Sequence, residues 1–436
     1  MELMLTDTQP PRSHDTKPIA FDKKGNMYIP FGAPSDCCQV SEGAPFSPGK
    51  DPCPLLETRG GIWKFDAGKP NQFQQDGELF AGGFRSIVAI AWNNADDHLY
   101  TIMHGRDYLH WNWPMYYTEL EGAILPSEEF FRIKKGDNAG WPYAYWDHLK
   151  NKKMQAPEYG GNGRMEAKDS SYLKPIVSFP GHFAPNDLLF YTGNQFPERY
   201  RNGAFIAFHG STSSAPYPQA GYFIAFVPFT NGQPSGAWEV FADGFAGRDT
   251  IYNTSDAKYR PMGLSQGPDG SLYVSETEKG KIWRVMFKGD REKFGAPALA
   301  AMDKRKAEAP NTKMPDELKD NLDRKDYSPA ARTYNTYCGK CHERNGEGNN
   351  RFPPLKGSEW FAGDIQQPLH IVLNGMEVEM MVRGRRFINT MPAFANVLTD
   401  EQLADVLTYV KTEFNGAASG VSVQEVRKAR KELFKK

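Results

Sequence analysis

The stretch "VAIAWNNADDHLYTIMHG", residues Val88–Gly105, places apolar residues on both sides of a turn built from Asn, Ala and Asp. β-branched and aromatic residues that flank a tight turn are typical of an antiparallel hairpin. The pattern recurs at intervals of tens of residues, at 18–32 and 262–285 and, in a looser form, at 187–210. Such repetition predicts a β-propeller, with a β-sandwich as the alternative.

Long Gly- and Pro-rich insertions separate the hairpins, at 106–127 and 148–174. They suit loops on one face of a propeller. The 436 residues are too many for one ordinary domain, which predicts at least two. A net charge of -1 gives no electrostatic reason to expect nucleic acid or an anionic membrane as a partner. The sequence contains no apolar run of about 18 residues, so no transmembrane segment is predicted.

The sequence pattern changes after residue 287. Residues 288–326 are charged and rich in Ala and Pro, which predicts a linker that is helical in part. Residues 327–415 have a helical pattern, in which an apolar stripe follows a capping box of Thr399 and Gln402. Residues 416–436 are a basic tail, for which we expect a solvated helix.

The pentad "CGKCH", Cys338–His342, has the spacing of a covalent attachment site for haem c. Two thiols on one side of a helical turn can bond the two vinyl groups of one haem, while the adjacent imidazole binds the iron. A zinc site would need a second Cys/His pair, and a thioredoxin-like site would need a surrounding βαβ pattern. The sequence shows neither.

A downstream methionine is expected as the sixth iron ligand. The candidates are Met376, Met380, Met381 and Met391. Met391 is favoured because the proline that follows it holds an extended turn before the last apolar helix. With the pentad, an "FPPL" loop at 352–355, an "MPAF" loop at 391–394 and this helix, residues 327–415 resemble a small cytochrome c. The resemblance implies Cys338 and Cys341 as the haem attachments, and His342 and Met391 as the axial ligands.

Residues 14–287 resemble the quinoprotein sugar dehydrogenases, the soluble aldose and sorbosone dehydrogenases that use pyrroloquinoline quinone (PQQ). The resemblance lies in "HDTKPIAFDKKGNMYIPFGAPS" (14–35), "GFRSIVAIAW" (83–92), "HGRD" (104–107), "EEFFRIKKGDNAGWPYAYWD" (128–147), "HFAPNDLLFYTGNQFPERYRNGAFIAFHGS" (182–211) and "YRPMGLSQGPDGSLYVSE" (259–276). It implies a mostly β chain: residues 1–287 would belong to a six-bladed propeller whose N-terminal blades are missing here. A small all-α cytochrome c domain would follow.

The chemistry of such an enzyme has three needs: basic residues for the cofactor's carboxylates, calcium to polarise its carbonyl, and a base for the hydroxyl proton. The resemblance implies His14 as the general base and Arg85 and Arg260 as PQQ contacts. It implies the backbone carbonyls of Gly105 and Arg106 as calcium ligands. Either predicted PQQ arginine could instead be an ordinary surface ion-pair residue.

The resemblance also implies that His104, His182 and His209 line the PQQ pocket. Two departures from the family pattern bear on PQQ affinity. Ser86 stands where an Asn usually follows the arginine, and residues 211–214 replace a segment that usually contains Trp, Asn and Arg.

Together the two resemblances imply a periplasmic oxidoreductase that oxidises an aldose or a sorbosone-like sugar with PQQ and passes electrons to its own haem c. An external acceptor, a protein or a quinone, would then take the electrons. The alternative is a cofactor-free propeller that serves as a scaffold for an electron-shuttling cytochrome. A hydrolase propeller is a third option, which would leave the haem unexplained.

Haem c is attached outside the bacterial cytoplasm, yet the first fifteen residues lack the pattern of a signal peptide. Because the missing blades would also be N-terminal, we expect this chain to be a truncated form of an exported protein. Cys37, Cys38 and Cys53 lie in a Pro-rich, loop-like segment. A disulfide between Cys38 and Cys53 is one possibility in an oxidising compartment, and three unpaired thiols are the other.

Overall fold

The computed structural model describes residues 4–7, 13–309, 328–343, 345–376, 379–388 and 390–433. The chain divides into two compact units. One unit comprises 1–214 and 219–315, and the other comprises 215–218 and 316–436. Sheets dominate the first unit, and helices dominate the second.

The first unit begins with a four-stranded sheet and a small parallel pair of strands. The strands are β1 (Leu5–Thr6), β2 (Ala20–Phe21), β3 (Asn26–Phe31), β4 (Gly61–Asp66), β5 (Gln72–Phe73) and β6 (Glu78–Gly82). The sheet has the antiparallel order β2-β3-β4-β6, while β1 pairs with β5. Asp22 closes the first hairpin because its carboxylate accepts hydrogen bonds from the backbone N–H groups of Lys24 and Asn26.

The second sheet has the order β12-β9-β8-β7, and its loops contain a separate hairpin and two short helices. These elements are β7 (Ile87–Asn93), β8 (His98–Met103), α1 (Leu109–Asn112), α2 (Glu119–Ile124), β9 (Glu128–Ile133), β10 (Ala144–Asp147), β11 (Lys152–Gln155) and β12 (Val177–Phe179). The two helices belong to the predicted insertion 106–127. The hairpin β10-β11 lies between β9 and β12 in the chain.

The third sheet has the order β13-β14-β15-β18 and the fourth the order β19-β20-β21. Their strands, with one small hairpin, are β13 (Pro185–Phe190), β14 (Ala204–Phe208), β15 (Phe223–Val227), β16 (Phe229–Thr230), β17 (Gln233–Pro234), β18 (Glu239–Ala242), β19 (Pro261–Gln266), β20 (Leu272–Glu276) and β21 (Ile282–Val285). Strands β14 and β15 are buried along their whole length, which explains their continuous apolar sequences.

The first strands of the four sheets pack against one another in sequence: β2 on β7, β7 on β13, and β13 on β19. Sheets arranged in this way are the blades of a β-propeller, so the predicted fold class is confirmed. The four predicted hairpins are the first two strands of the four blades. Aromatic side chains such as Phe130, Phe208 and Phe223 fill the space between the second and third blades. Burial of each ring contributes about 2 kcal/mol.

Helix α3 (Ala296–Glu308) lies within the predicted linker and packs against β18, the last strand of the third blade. Arg305 donates hydrogen bonds to the carbonyls of Val240 and Phe241. The helix therefore covers a strand edge that would otherwise present free carbonyls. Residues 310–326 of the predicted linker lie outside the described residues.

The second unit has the helical character expected of a cytochrome c domain. Its elements are α4 (Pro329–Tyr337), α5 (Gly339–His342), α6 (Gln366–Asn374), β22 (Met380–Val382), β23 (Arg385–Phe387), α7 (Asp400–Tyr409) and α8 (Val423–Leu433). The predicted capping box of Thr399 and Gln402 begins α7. Helix α4 packs on α7, where the ring of Tyr334 contacts those of Tyr409 and Phe414.

The structure corrects the prediction of a solvated tail. Val426 and Ala429 of α8 are fully buried, and the helix packs against α6 and α7. Arg430 donates a hydrogen bond to the carbonyl of Leu398 at 2.8 Å and forms an ion pair with Asp400 at 2.7 Å. The basic residues that suggested a solvated helix thus leave one apolar face for the core of this unit.

Single turns of 3₁₀ helix occur at Pro54–Glu57, Gln74–Asp76, Pro157–Tyr159, Glu198–Tyr200, Thr254–Asp256, Arg291–Lys293 and Glu359–Phe361, and a π turn at Val410–Phe414. Among the described residues, no helix has the length and apolar content that crossing a bilayer requires.

Candidate functional site

The predicted site residues of the propeller share one position in the blades. Each lies just before the first strand of a blade or just after the second. In an antiparallel hairpin these two points lie at the same end of the strands, so the residues line one edge of the blades. The residues are His14, Arg85, His104, Gly105, Arg106, His182, His209 and Arg260. Hydrogen bonds between consecutive blades join several of them, as the following contacts show.

Arg85 lies at the centre of this edge and is only 4% exposed. Its guanidinium contacts the carboxylates of Asp36 and Asp107, the latter at 3.1 Å, and donates to the carbonyl of Gly105 at 2.9 Å. Burial lowers the pKa of Arg85, but the two carboxylates outweigh this effect and raise it overall. For Arg85, the alternative of a surface ion-pair residue is therefore wrong. Its buried Nε has no hydrogen-bond partner among the described residues.

Asp107 links Arg85 to the third blade through His182, which lies just before β13. His182 Nδ1 lies 3.3 Å from an Asp107 carboxylate oxygen, and His182 Nε2 lies 3.1 Å from the carbonyl of Gly122. Burial would raise the pKa of Asp107, but hydrogen bonds from His182 and Ser213 and the charge of Arg85 hold it well below its usual range. Ser213 belongs to the segment 211–214, which departs from the family pattern.

Sequence reasoning missed both carboxylates around Arg85. Asp107 stands in the quoted "HGRD" segment, where its position beside two predicted site residues is the available signal. Asp36 precedes the cysteine-rich loop and has no local signal. Its contact with Arg85 joins residues far apart in the chain, which only the packing of the blades reveals.

His14 is held in an unusual backbone conformation, with φ of 62°. Its Nδ1 lies 2.5 Å from the carbonyl oxygen of Ala33. Gly32 is needed beside it, since a Cβ there would lie 2.2 Å from the carbonyl oxygen of His14. Burial, and next the charge of Arg85, lowers the pKa of His14. The imidazole is therefore neutral at pH 7, with Nδ1 as the donor and Nε2 as the basic nitrogen.

His104 and His209 make further contacts between blades. His104 Nε2 lies 2.8 Å from the carbonyl of Pro185, and burial lowers the pKa of His104 to about 4. Arg260 donates to His209 Nδ1 at 2.8 Å and to the carbonyl of Gly210 at 2.7 Å. Burial, with the charge of Arg260, lowers the pKa of His209 to about 3. Both histidines are thus neutral at neutral pH, and their place in a PQQ pocket stays a prediction.

Glu128 is a further buried acid at this edge that sequence reasoning did not single out; it is 2% exposed. Its carboxyl oxygens accept hydrogen bonds from the backbone N–H groups of Gly105 at 2.9 Å and Ala184 at 3.1 Å. Burial raises the pKa of Glu128 to about 7 despite these bonds. Glu128 therefore links the second and third blades at the site. Its carboxyl group titrates near neutrality.

The predicted calcium ligands, the carbonyls of Gly105 and Arg106, lie beside buried arginine side chains. The Gly105 carbonyl accepts a hydrogen bond from the Arg85 guanidinium at 2.9 Å, which uses one of the two lone pairs of this oxygen. The side chain of Arg106 is itself buried in an ion pair with Glu158 at 2.5 Å. No group of three His, Cys, Asp or Glu side chains suited to a metal occurs in the described part of the chain. The calcium site on the two backbone carbonyls stays a prediction, and no proposed step depends on it.

The haem pentad forms one helical turn, as its spacing predicts. The backbone N–H groups of Cys341 and His342 both donate to the carbonyl of Cys338, which brings the two cysteines to one side of the turn. Nδ1 of the buried His342 lies 2.7 Å from the carbonyl of Pro353 in the "FPPL" loop. With Nδ1 as the donor, Nε2 is the nitrogen that can bind iron. These residues fit a c-type haem.

The backbone N–H groups and carbonyls of Met376 and Met391 form a reciprocal pair of hydrogen bonds of 2.9 and 2.8 Å, so the two residues lie side by side on adjacent segments. A cleft of about 480 Å³ is lined by Met376, Met380 and Met381 with residues of α6. Met381 is exposed. The choice of Met391 as the axial ligand stays a prediction.

Of the cysteines near the start, Cys38 and Cys53 form a disulfide, and Cys37 is a buried free thiol. This decides between the two alternatives that the sequence left open. Cys38 of the disulfide lies two residues after Asp36 in the chain, and the indole of Trp141 donates a hydrogen bond to the Asp36 carbonyl at 2.8 Å. The disulfide and the Trp141 hydrogen bond therefore both hold the loop that contains Asp36.

Two family models match the chain. The TrAA12-like model matches residues 59–288, which is more than half of the chain. A model described as cytochrome C oxidase, cbb3-type, subunit III, matches residues 325–410. The two matches divide the chain where its composition changes.

Individual proteins resemble one part or the other. The PQQ-dependent pyranose dehydrogenase of Coprinopsis cinerea is 25% identical over 251 residues, 48% of this chain and 31% of its own. The gluconate 2-dehydrogenase cytochrome c subunit of Pantoea cypripedii is 33% identical over 113 residues, 24% of this chain and 25% of its own. The calcium structure of a Trichoderma reesei carbohydrate-active enzyme of family AA12 is 18% identical with a TM-score of 0.49, over 64% of this chain and 69% of that one. The chain spans half or less of the length of the curated relatives it matches.

Proposed function

The chain belongs to the TrAA12-like family, and from that membership we propose that it is a sugar dehydrogenase that uses PQQ and passes the electrons to its own haem c. A dehydrogenase-like propeller and a cytochrome c domain in one chain make it an oxidoreductase with an electron-transfer domain. The substrate would be an aldose or a related sugar. The single observation on which the proposal depends is the cluster of His14, Arg85 and Asp107 at one edge of the blades, in a chain that also has the haem pentad.

The basic residues of the cluster fit an anionic cofactor. Arg85 has a buried Nε without a hydrogen-bond partner among the described residues, which is a donor available to a carboxylate. Arg260 lies at the equivalent point of the fourth blade and would contribute a second guanidinium. When bound, PQQ would accept hydride from the hydroxyl carbon of the sugar.

His14 would take the proton of that hydroxyl. Its Nδ1–H donates to the Ala33 carbonyl, so Nε2 has the lone pair that a base needs. Its lowered pKa keeps it unprotonated at neutral pH. Asp107 and His182 would position Arg85 rather than react, because their polar atoms are engaged with each other and with the guanidinium.

In the cytochrome domain, Cys338 and Cys341 would bind the haem covalently and His342 would bind the iron, with Met391 as the sixth ligand. The proposed boundaries are 1–287 for the propeller, 288–326 for the linker and 327–415 for the cytochrome. Helix α3 of the linker packs on the third blade, and α8, after residue 415, packs on the cytochrome helices. An exported location is supported by the disulfide and by the c-type pentad. The final acceptor would be an external protein or quinone.

The test is sugar-dependent reduction of the haem. Haem-loaded protein is reconstituted with PQQ, mixed with aldoses in a stopped-flow instrument, and followed by haem absorbance. We expect reduction with at least one sugar, and a fall of roughly 10²- to 10⁴-fold in rate for His14→Gln. His98→Gln is the matched control, because His98 lies at the opposite end of the hairpin β7-β8. Haem that is reduced by an external protein donor but by no sugar would favour the cofactor-free scaffold instead.

A further inference from the structure

The loop that follows the site residues Arg106 and Asp107 displays several aromatic rings at the surface. Tyr108 and Tyr116 are exposed, and so is Phe46 of the cysteine-rich loop. The ring of Trp113 lies parallel to that of Tyr116, at 9° with centroids 6.0 Å apart, and the ring of Phe46 stands on it edge-to-face at 6.2 Å. We call Phe46, Tyr108, Trp113 and Tyr116 the aromatic shelf.

Two backbone hydrogen bonds and one constrained backbone angle hold the shelf in place. Trp113 and Tyr116 are the first and last residues of a turn closed by a backbone hydrogen bond of 3.0 Å, with proline at its second position. Tyr108 has a φ of 61°, which an aromatic residue adopts only when its surroundings impose it. The backbone N–H of Phe46 donates to the carbonyl of Asn112 at 3.0 Å, which joins the two loops.

Hydrogen bonds also connect the shelf to Arg106, which lies in the segment that contains the predicted site residues. The indole Nε1 of Trp113 donates to one carboxylate oxygen of Glu158 at 2.7 Å, and Arg106 pairs with the other at 2.5 Å. Tyr108 follows Asp107 directly in the chain. The shelf therefore belongs to the loop that continues from Asp107 of the Arg85 cluster.

The chemistry of the shelf indicates one class of ligand. Residues 108–118 contain no Asp, Glu, Lys or Arg, so nothing there attracts a charged partner. Rigid Tyr and Trp rings offer a broad apolar face with a polar edge and lose little conformational entropy on binding. A pyranose ring has the complementary arrangement, with C–H groups on its faces and hydroxyls around its rim.

We propose that the aromatic shelf binds sugar units beyond the reacting one, so that the substrate is an oligosaccharide or polysaccharide end rather than a free monosaccharide. The claim about the substrate rests on the proposed function. The claim that the shelf binds sugar units does not depend on it.

The binding test uses the haem-loaded protein and calorimetric titration with glucose, maltohexaose, cellohexaose and xylohexaose. We expect at least one hexasaccharide to bind roughly tenfold more tightly than glucose, and Tyr116→Ala to abolish that difference. Trp113→Phe keeps a ring but lacks the indole N–H that bonds Glu158, and should weaken the preference in part. Phe73→Ala is the matched control: Phe73 is 42% exposed, as Tyr116 is, but lies on β5.

The kinetic test compares kcat/KM for the hexasaccharide with kcat/KM for its monomer. The ratio should fall about tenfold in Tyr116→Ala and stay unchanged in Phe73→Ala. Equal affinity of the wild type for every hexasaccharide and for glucose, or an unchanged ratio in Tyr116→Ala, would overturn the proposal. So would a shelf that binds a protein but no glycan. If no sugar reduces the haem while a hexasaccharide still binds through Tyr116, the proposed function fails and the shelf stands.

Discussion

Glu128→Gln should remove a pH dependence from the stability of the propeller. The pKa of Glu128 is raised from its ordinary value of 4.5 to about 7 in the folded protein. The folded state therefore holds this proton more tightly than the unfolded state, and the stabilisation is present at low pH and lost as pH rises through 4.5 to 7. Between pH 5 and pH 8 this loss amounts to about 2 to 3 kcal/mol of the free energy of unfolding.

Glutamine cannot ionise, so the variant should lack that loss. It keeps one acceptor for the two backbone N–H groups of Gly105 and Ala184, and the missing acceptor costs about 1–3 kcal/mol at every pH. The informative quantity is therefore the difference between pH 5 and pH 8, from which this constant cost cancels.

The assay is denaturant unfolding at the two pH values, followed by tryptophan fluorescence. Of the nine tryptophans only Trp360 lies after residue 288, so the signal reports mainly on the propeller. Glu198→Gln is the matched control because Glu198 is a highly exposed acid of the same unit. If the wild type and Glu128→Gln lose equal stability between pH 5 and pH 8, Glu128 does not titrate in this range and the reasoning is refuted.

Three further outcomes are expected. Replacing Cys38 and Cys53 together by Ser should lower the free energy of unfolding of the propeller by about 3 kcal/mol, as denaturant curves would show, because a loop with a sequence separation of 15 is released; a reductant should then have no additional effect. Met391→Ala should abolish the sulfur-to-iron charge-transfer absorption of the oxidised haem while Met380→Ala retains it, and the reverse result would reassign the ligand. Val426→Ala should destabilise the cytochrome unit by about 2 kcal/mol in a melting curve of the haem absorbance, whereas a change close to zero would mean that α8 is not packed as described.

The repeated features of the fold were predictable because they depend on neighbours in the chain. The hairpin pattern around residues such as Asp22 needs only alternating burial and turn chemistry, and it located the first two strands of all four blades. The pentad likewise needs one helical turn to bring Cys338 and Cys341 together. The prediction of a solvated tail was wrong because the burial of Val426 depends on two other helices, which the composition of the tail does not reveal.

The sequence by itself therefore determined the hairpins and the turn of the haem pentad, which follow from contacts within a few residues. Tertiary structure alone decided the partners of the site. Asp36 and Asp107 meet on Arg85 because separate loops converge where the blades pack, and Glu128 titrates near neutrality because that packing excludes water from it. A guanidinium also lies against the Gly105 carbonyl, where the sequence resemblance implied calcium. Charge and burial at a point in space depend on the whole fold, and local sequence does not report them.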